Sequence, residues 1–546
     1  MWYLIVTLVI VFILKVFLDY RRPPDFPPGK PNSPENETPF QKFRMFFFIF
    51  GFFLHADIMP DSQLVLFSGP RGLPIVGNVF DVARLRKATG YHSSVWRKLS
   101  ELYGPVVGLR LGITNPLIVI TGRDAVVEVL NRPEFDGRPN GFIFRYRSGG
   151  IRRGVLFTDG ELWAIQRRFT MKTLKQLGYG KLGMADMILR DAVSLVDLVG
   201  ELRKNGPISN LHVISAAAVI NSLWSLITGK RLNAQADEER LTRIITLTKE
   251  IIQHSNIVGG IINQFPFLRY LMPTYFGFTQ QKQRLTQLNV VFEHKERKKE
   301  EKLSDFIEFY LEEMKAQEAT PGSSTFDECQ LINVIKDLFF AGTDTTSNTI
   351  GFVLTYLTVY QDVQKKVHAE IDSAIVGNSL PSLAHRNRLP YLNAAIAEVS
   401  RMASIGPTTI PHRAMMDSTF RGYSIKKDYI LLPSLKSVHM DKEHWGDPDV
   451  FRPERFINEA GEFVEDPWLI PFGLGRRRCL GESLARKSVF LFTLCLLQRY
   501  HFVLAEGELE PCLDGVDGFI LTPPNINVIR NCNQEGKEEG RKGGKS

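Results

Sequence analysis

Cysteine is scarce in this sequence of 546 residues, and the cysteines present are widely spaced. No two of them form a CxxC pair or stand at the spacing of a zinc site. The five positions are Cys329, Cys479, Cys495, Cys512 and Cys532. This scarcity argues against a disulfide-stapled secreted scaffold, and the odd number indicates reduced thiols on the cytosolic side of a membrane.

The sequence also lacks any long block of basic residues. Its net charge of +8 is spread along the chain, which argues against nucleic acid as a partner and suits an acidic protein or an anionic membrane surface. No internal repeat or linker interrupts residues 70–532, so we expect one large globular domain there. The final segment, 533–546, is charged and rich in glycine, and we predict that it is disordered.

One long hydrophobic run occupies the amino terminus. Residues 2–18 read WYLIVTLVIVFILKVFL, which suits one membrane-spanning helix of about 20 residues. Arg21 and Arg22 follow the run, whereas a cleaved signal peptide would have its basic residues first. We therefore predict a single-pass signal-anchor helix over 1–20, with the rest of the chain in the cytosol, and a stiff proline-rich hinge over 21–29.

Residues 30–69 do not fit this plan. Within them, FFFIFGFFL at 46–54 is intensely apolar but short for a membrane span. A true second span would also place the main domain across the membrane, against the charge of the flanking arginines. Deleting 30–69 joins FPPG to PRGLPIVGN and restores an uninterrupted hinge, and both ends can be encoded with splice-site sequences in a compatible frame. We therefore favour a retained intron over a genuine insertion, and sequencing the transcript would test it.

Hydrophobic periodicity predicts a mainly helical domain. The predicted helices cover 158–175, 185–204, 209–228, 238–256, 279–298, 327–358, 361–376, 391–403 and 480–498. Short strands are expected near 105–121 and 419–433 and within 501–530. The sequence thus predicts a mainly α fold with small β-sheets.

Polar residues interrupt the apolar stripe of the helix predicted at 327–358. Asp344 and Thr345 stand in the middle of this long helix, and the Thr345 hydroxyl can bond back to the carbonyl of Ala341. A locally opened helix with a hydroxyl and a carboxylate facing inward would form a proton path. The alternative is a threonine satisfied by its own backbone beside an aspartate that faces solvent.

Two further pairs of residues have helical spacing. Glu398 and Arg401 can pair on one helix face, and Arg455 downstream could complete a buried charge network. Trp163 and Arg167 lie one turn apart and carry only hydrogen-bond donors, which suits an anionic group such as a carboxylate. Read in isolation, these pairs also fit an exposed ion pair and a core tryptophan beside a surface arginine.

The sequence PFGLGRRRCLGE at 471–482 surrounds Cys479 with glycine and arginine. The glycines permit tight turns and close approach of the backbone to a flat group. A helix start and the neighbouring Arg476, Arg477 and Arg478 favour the thiolate form. A nucleophilic cysteine is the competing interpretation, but no histidine lies nearby to act as its base, so a thiolate that binds a metal axially fits better.

Four motifs, taken in order, make the chain resemble the cytochrome P450 superfamily. They are AGTDTT at 341–346, ExxR at 398–401, PERF at 453–456 and FxxGxRxCxG from Phe472 to Gly481. The anchor, the hinge, FDGRP at 135–139, PHR at 411–413 and GESLAR after the cysteine are similar to the animal microsomal, family 2-like branch, which includes xenobiotic-metabolising members. The resemblance covers roughly 70–530 with the anchor and hinge, while residues 30–68 have no counterpart.

The resemblance implies the cytochrome P450 fold and a haem b cofactor (iron protoporphyrin IX). Cys479 would be the axial ligand of the haem iron, and Thr345 with Asp344 would deliver protons during oxygen activation. Glu398, Arg401 and Arg455 would form a structural network behind the haem. The haem propionates would be held by Arg138, Trp163, Arg167, His412 and Arg477. The substrate would be lined by Phe340, Ala341, Ile405, Thr409, Ile410 and Phe519, for which core packing is the alternative.

The implied activity is monooxygenation of a lipophilic small molecule such as a xenobiotic, fatty acid or steroid-like compound. Electrons would come from NADPH through the flavins (FAD and FMN) of a cytochrome P450 reductase, with cytochrome b5 as a possible second partner, at the endoplasmic reticulum membrane. Arg168, Lys172 and Lys487 are candidate contacts for the acidic reductase. The rivals are an isomerase or dehydratase on the same fold and a noncatalytic haem protein that senses a ligand.

Overall fold

The computed structural model of the chain describes most residues after position 67. The described ranges are 68–178, 182–232, 238–254, 260–271, 273–292, 305–318, 324–377 and 379–532. The predicted signal anchor, the hinge, the carboxy-terminal tail and all of the anomalous segment before Ser68 lie outside the described residues.

Helices dominate the described chain, which confirms the predicted fold class. The α-helices are α1 Val79–Thr89, α2 His92–Tyr103, α3 Arg123–Asn131, α4 Phe142–Tyr146, α5 Gly160–Gln176, α6 Leu182–Arg203, α7 Leu211–Thr228, α8 Glu238–His254, α9 Gly260–Gln264, α10 Leu268–Leu271, α11 Phe278–Phe292, α12 Phe306–Glu318, α13 Glu328–Val359, α14 Gln361–Ala374, α15 Pro390–Ala403, α16 Leu435–His439, α17 Lys442–Trp445 and α18 Glu482–Arg499. Short 3₁₀ turns occur at Pro133–Phe135, Leu383–Arg388, Pro453–Phe456 and Gly475–Arg477.

The strands are short and form three small sheets. They are β1 Val106–Leu109, β2 Leu117–Ile120, β3 Ile208–Ser209, β4 His412–Arg413, β5 Ser418–Phe420, β6 Tyr423–Ile425, β7 Ile430–Pro433, β8 Tyr500–Leu504 and β9 Asn527–Cys532. The sheets have the orders β1-β2-β7-β4, β3-β9-β8 and β5-β6. In the first sheet β2 pairs antiparallel with β1 and parallel with β7, and β4 adds to the other edge of β7.

All nine predicted helices are present, although the helix predicted over 279–298 is described only as far as Phe292. The prediction missed the helices α1, α2, α3 and α12, the five short helices α4, α9, α10, α16 and α17, and the short strands β3 and β4. Helix α1 buries none of its side chains fully, so its sequence carries little of the apolar periodicity on which a helix prediction depends. Strands β3 and β4 have two residues each, which is too short for an alternation of apolar and polar side chains to be recognised.

The long helix α13 forms the centre of the fold. Its N-cap residue Asp327 accepts a hydrogen bond from the backbone N–H of Gln330, which satisfies one of the free donors at the helix start. Helix α7 packs along it, and the two share one hydrophobic core with α6, α14, α15 and α18. Within the described residues α7 alone is long and apolar enough to cross a membrane, and 67% of it is buried in this core.

The first described residues join the first sheet. The carbonyl oxygen of Ser68 accepts a hydrogen bond of 3.0 Å from the backbone N–H of Gly108 in β1. A Cβ atom placed on Gly69 would lie 2.3 Å from the carbonyl oxygen of Gly108, so only glycine fits this approach. The chain therefore enters the domain along the edge of β1.

Candidate active site

One cavity of about 320 Å³ lies between α5, α13, the sheet strand β4 and the loop that carries Cys479. It brings together residues that are separated by hundreds of positions in the sequence. The predicted site residues that line it are Arg138, Trp163, Arg167, Phe340, Ala341, Thr345, Ile405, Thr409, Ile410, His412, Arg477, Cys479 and Phe519. Asp344, Glu398, Arg401 and Arg455 were also predicted as site residues, and they lie outside its walls.

The Cys479 loop is held in a fixed shape against α3. The backbone N–H of Cys479 donates to the carbonyl oxygen of Phe472 at 2.9 Å and closes the loop. Gly475 has a φ of 68°, and a Cβ atom there would lie 1.9 Å from the carbonyl oxygen of Leu130. No other residue can adopt this conformation in this space, so the glycine fixes how closely the loop approaches α3.

The Cys479 thiol has accessible surface because it lines the cavity, yet protein surrounds it on its other sides. Burial raises the pKa of this thiol, and the backbone N–H groups of Gly481 and Glu482 and the charge of Arg167 act in the opposite direction. The site therefore removes water from the thiolate, which disfavours the charged form, and offsets this in part with hydrogen-bond donors and a nearby positive charge.

Of the three arginines before Cys479, two contact Asp136 and the third pairs with Glu482. Arg476 pairs with Asp136 at 3.3 Å, and Arg478 forms a bidentate pair with Glu482 at 2.6 and 2.7 Å. Arg477 is partly buried and donates from Nε to the backbone carbonyl oxygen of Asp136 at 2.8 Å. The arginines are thus not one continuous patch around the sulfur.

Trp163 and three guanidinium groups converge at one end of the cavity. The Arg477 guanidinium carbon lies 3.7 Å from the centroid of the Trp163 ring, and that of Arg167 lies 5.7 Å from it. Arg138 is 5% exposed and bonds the backbone carbonyls of Leu156, Ile410 and Pro411. Burial, joined by repulsion between neighbouring arginines, lowers the pKa values of Arg138 and Arg477. Cations crowded in this way favour an anionic group beside them.

His412 is fully buried beside this cluster. Its Nδ1 lies 2.8 Å from the backbone carbonyl oxygen of Phe135, so Nδ1 carries the proton in the neutral ring. Burial and the charges of Arg138 and Arg477 hold the pKa of His412 well below its usual range. Nε2 can donate only in the imidazolium form, which an anion bound at the cluster would favour.

Asp344 and Thr345 occupy different environments on α13. The Thr345 hydroxyl donates to the carbonyl oxygen of Ala341 at 2.6 Å, as the sequence predicts, and the residue lines the cavity. Asp344 is 8% exposed, so the alternative of an aspartate facing solvent is wrong. Burial raises the pKa of Asp344 to about 6, against a smaller opposite effect of Lys249 from α8.

The predicted network of Glu398, Arg401 and Arg455 forms behind the cavity. Glu398 and Arg401 have fully buried side chains and make two hydrogen bonds of 2.7 and 2.8 Å. Arg455 adds a bond of 3.0 Å to Glu398 and also bonds the backbone carbonyl of Trp445. This paired and satisfied arrangement joins α15 to the segment before the Cys479 loop, so the exposed-pair alternative is wrong.

Sequence reasoning missed Asp337, which lines the cavity one helical turn before Ala341. Its carboxylate pairs with Arg147 and accepts hydrogen bonds of 2.8 Å from the backbone N–H groups of Val155 and Leu156. A Cβ atom on Gly154 would lie 2.1 Å from this carboxylate. The only sequence signal for Asp337 was its place within the apolar stripe of a core helix. An aspartate at such a position cannot be told from one on the surface unless its partners are known.

Comparison with known proteins matches this architecture. Residues 67–530 match the family described as cytochrome P450. The probable cytochrome P450 305a1 of Drosophila melanogaster is 38% identical over 474 residues, which cover 84% of this chain and 93% of the relative. The farnesoate epoxidase of Bombyx mori is 36% identical over 466 residues (84% and 92%), and cytochrome P450 2U1 of Homo sapiens is 32% identical over 490 residues (84% and 88%). The chain therefore belongs to the cytochrome P450 family and is a haem-dependent monooxygenase with family 2-like animal relatives.

Proposed function

We propose that this enzyme inserts one atom of dioxygen into a lipophilic small molecule and reduces the other to water. The observation that carries the proposal is the meeting of Cys479, the arginine-tryptophan cluster and Thr345 in one cavity. NADPH would supply the electrons through the FAD and FMN of a cytochrome P450 reductase. The signal anchor would hold the enzyme at the endoplasmic reticulum membrane with its catalytic domain facing the cytosol.

The residues at the cavity fit haem b. Arg138 uses Nε and Nη1 for backbone carbonyls, and Arg477 uses Nε and Nη2, which leaves one nitrogen of each without a partner among the described residues. The indole N–H of Trp163 likewise has none there. These groups, with Arg167 and His412, would hold the two propionates through charge-assisted hydrogen bonds.

Cys479 would bind the iron through its thiolate. The loop closed by Phe472 fixes the sulfur at the cavity wall, and the backbone N–H groups at the start of α18 stabilise its negative charge. When bound, the haem supplies oxygen activation, to which a thiolate ligand adds electron density. Glu398, Arg401 and Arg455 would act only as the structural support of this loop.

Thr345 would position a proton at the cavity, and Asp344 would supply it. The Thr345 hydroxyl reaches the cavity wall, whereas the buried Asp344 carboxyl lies on the side of α13 that faces Lys249. A carboxyl with a pKa of about 6 exchanges protons readily near neutral pH. The two residues would therefore link the protein interior on the α8 side of the helix to the reacting face.

The substrate class follows from the apolar walls of the cavity. Leu223, Leu338, Phe340, Ile405 and Phe519 all line it. Phe340 and Phe519 lie with their ring centroids 6.2 Å apart and narrow one side. Such a lining takes up lipophilic ligands and gives them few polar contacts. Since one relative is a farnesoate epoxidase, farnesoate belongs in the substrate panel beside a fatty acid, a steroid and a drug-like compound.

The reductase would dock on the face of the molecule near Cys479. Arg168 and Lys172 are exposed on α5, whose other face carries Trp163, and they would meet acidic residues of that partner. Lys487 is half-buried on α18, which makes it the weaker of the three candidates. Cytochrome b5 would use the same basic face, and membrane lipid would contact the anchor.

The experiment that tests this function measures oxygen consumption and product formation with NADPH, reductase and the substrate panel. A monooxygenase forms product only when NADPH, reductase and a substrate are all present. An isomerase or dehydratase on this fold would instead transform a peroxide substrate without reductase. A noncatalytic haem protein would bind ligands and form no product, so the assay separates the three classes.

A further inference from the structure

One wall of the cavity is the tip of a closed loop near the carboxy terminus. Val516 and Thr522 exchange two backbone hydrogen bonds, of 2.8 and 3.1 Å, and close the loop 517–521. Phe519 at its centre and Ile520 both line the cavity. A Cβ atom on Gly518 would lie 2.9 Å from the carbonyl oxygen of Ile520, so the tip is tightly folded.

The inner side of this loop is fixed to the active-site framework. The backbone N–H of Leu521 donates to the carbonyl oxygen of Ile405 at 2.8 Å. Asn348 of α13 donates from its side chain to the Leu521 carbonyl oxygen at 3.0 Å. Phe519 itself packs against Phe340 of the same helix. These contacts fix residues 519–521, whereas the preceding arm of the loop, 515–517, has other partners.

The outer arm is held by contacts between Asp517 and the junction of α1 and α2. The Asp517 carboxylate lies 2.8 Å from Nδ1 of His92, and its side chain is only 8% exposed. It also accepts longer bonds of 3.3 and 3.4 Å from the backbone N–H of His92, and it pairs with Arg86 at 3.2 Å. Tyr91 adds a hydroxyl bond of 2.7 Å to the carbonyl oxygen of Gly515.

We propose that His92 and Asp517 are positioning residues that fix Phe519 in the cavity wall and thereby set which sizes of ligand the enzyme accepts. Only Gly518 separates Asp517 from Phe519 along the chain, so movement of the carboxylate moves the ring. Phe519 also packs against the hydrophobic cluster of α2 and the first sheet. The junction of α1 and α2 thus acts on the substrate through this loop and touches no substrate itself. This inference rests on the proposed function, because it assigns part of that enzyme's selectivity.

The test uses the full-length haem-loaded protein and two azole probes, imidazole and 4-phenylimidazole, whose binding shifts the Soret band. The variants are His92→Gln and Asp517→Asn, which keep size and polarity, and their double variant. We expect the dissociation constant of 4-phenylimidazole to rise about threefold to tenfold, and that of imidazole to stay within about twofold, because only the larger probe packs on an ordered wall. Asp517→Asn should have the larger effect because it also weakens the pair with Arg86. The double variant should fall short of the sum of the two single effects, since both variants act on the contact between His92 and Asp517.

A second readout is independent of bound ligand. Hydrogen exchange of the backbone amides in 515–522 should become faster in both variants, while exchange in α13 stays unchanged. The matched control is His444→Gln, which weakens another histidine–aspartate pair, with Asp466 at 2.9 Å, that lies away from the cavity. This control should change neither the azole ratio nor the exchange of the loop.

Equal effects on the two azoles, or no effect on either with unchanged exchange in 515–522, would overturn the positioning role. A wild-type protein without a thiolate-type spectrum of the reduced carbon monoxide complex would instead overturn the proposed function. The spectrum and the azole ratio are measured on the same samples, so the two failures are distinguished.

Discussion

The hydroxyl of Thr345 donates a hydrogen bond of 2.6 Å to the carbonyl oxygen of Ala341, one turn earlier in α13, at the wall of the cavity. Ala341 therefore loses part of the acceptor capacity that it would give to the helix. The Thr345 hydroxyl can give up this bond and donate instead to a ligand in the cavity, because the Ala341 carbonyl oxygen can still accept the backbone hydrogen bond of the helix. A structural role and a proton-handling role are thus both open to this residue, and substitution separates them.

Thr345→Ala should keep the haem spectrum of the wild-type enzyme but lose coupling. The variant removes the hydroxyl that presents a proton at the cavity, and general acid catalysis of this kind contributes roughly 10²-fold or more. We expect product formed per NADPH to fall by about tenfold or more, with a matching rise in hydrogen peroxide.

The control for that variant is Thr358→Ala. Thr358 makes the same bond to the backbone carbonyl oxygen four residues earlier, at 2.8 Å, but is buried near the far end of α13. Its loss should leave coupling unchanged. If both variants keep the wild-type coupling, Thr345 has no part in proton delivery.

Asp344→Asn should stabilise the folded protein in a pH-dependent manner. Burial raises the pKa of Asp344 to about 6 from an ordinary 3.8, so the folded protein holds a proton that the unfolded chain has already lost between these values. Wild-type stability therefore falls as the pH rises from about 4 to 6, by about 3 kcal/mol for a shift of this size. The thermal midpoint of the variant should exceed that of the wild type at pH 7.5, and the difference should vanish near pH 4. A difference that does not change with pH would contradict the assignment.

Glu398→Gln should abolish accumulation of the folded haem protein. The substitution leaves the guanidinium groups of Arg401 and Arg455 buried without their counter-charge, which costs about 3–5 kcal/mol. Glu454→Gln in the neighbouring PERF motif is the matched control. Glu454 pairs with Lys366 at 2.8 Å on the surface, where such a pair is worth about 1 kcal/mol or less. Equal yields of both variants in haem-loaded form would show that the buried network does not support the fold.

Arg477→Gln should weaken haem retention. Arg477 belongs to the cluster that stacks on Trp163 and has a nitrogen available for a propionate. Loss of one charged hydrogen bond predicts haem transfer to apomyoglobin that is faster by about tenfold or more. Arg476→Gln removes the neighbouring charge, which also lies over the Trp163 ring at 5.4 Å but is 59% exposed, pairs with Asp136 and does not line the cavity. It should change the rate far less. Faster haem transfer from Arg476→Gln than from Arg477→Gln would contradict the assignment of the propionate contact to Arg477.

Local signals in the sequence were enough for much of the fold. The apolar stripe around Leu331 and Leu338 predicts α13, and the capping Asp327 lies within one residue of the predicted start. Helix α1 escaped prediction because it lies on the surface and buries no side chain fully. Motif residues such as Cys479 and Glu398 could be named because their spacing is fixed within a few positions.

Contacts between distant segments could not be predicted in this way. Asp517 and His92 are 425 positions apart, and nothing near either residue indicates the other. The hydrogen bonds between Asp337 and the segment before α5 come from the backbone N–H groups of Val155 and Leu156, and groups of this kind carry no sequence signal. The separate partners of Arg476 and Arg478 likewise depend on how the Cys479 loop turns, so composition alone suggested one shared role.

The most direct test of the account is the carbon monoxide difference spectrum of the reduced protein, compared with that of Cys479→Ser. We expect the red-shifted Soret band of a thiolate-ligated haem in the wild-type protein. The variant should lack that band even where haem is still bound. A wild-type spectrum without the shifted band, or a variant that retains it, would contradict the assignment of Cys479 as the iron ligand.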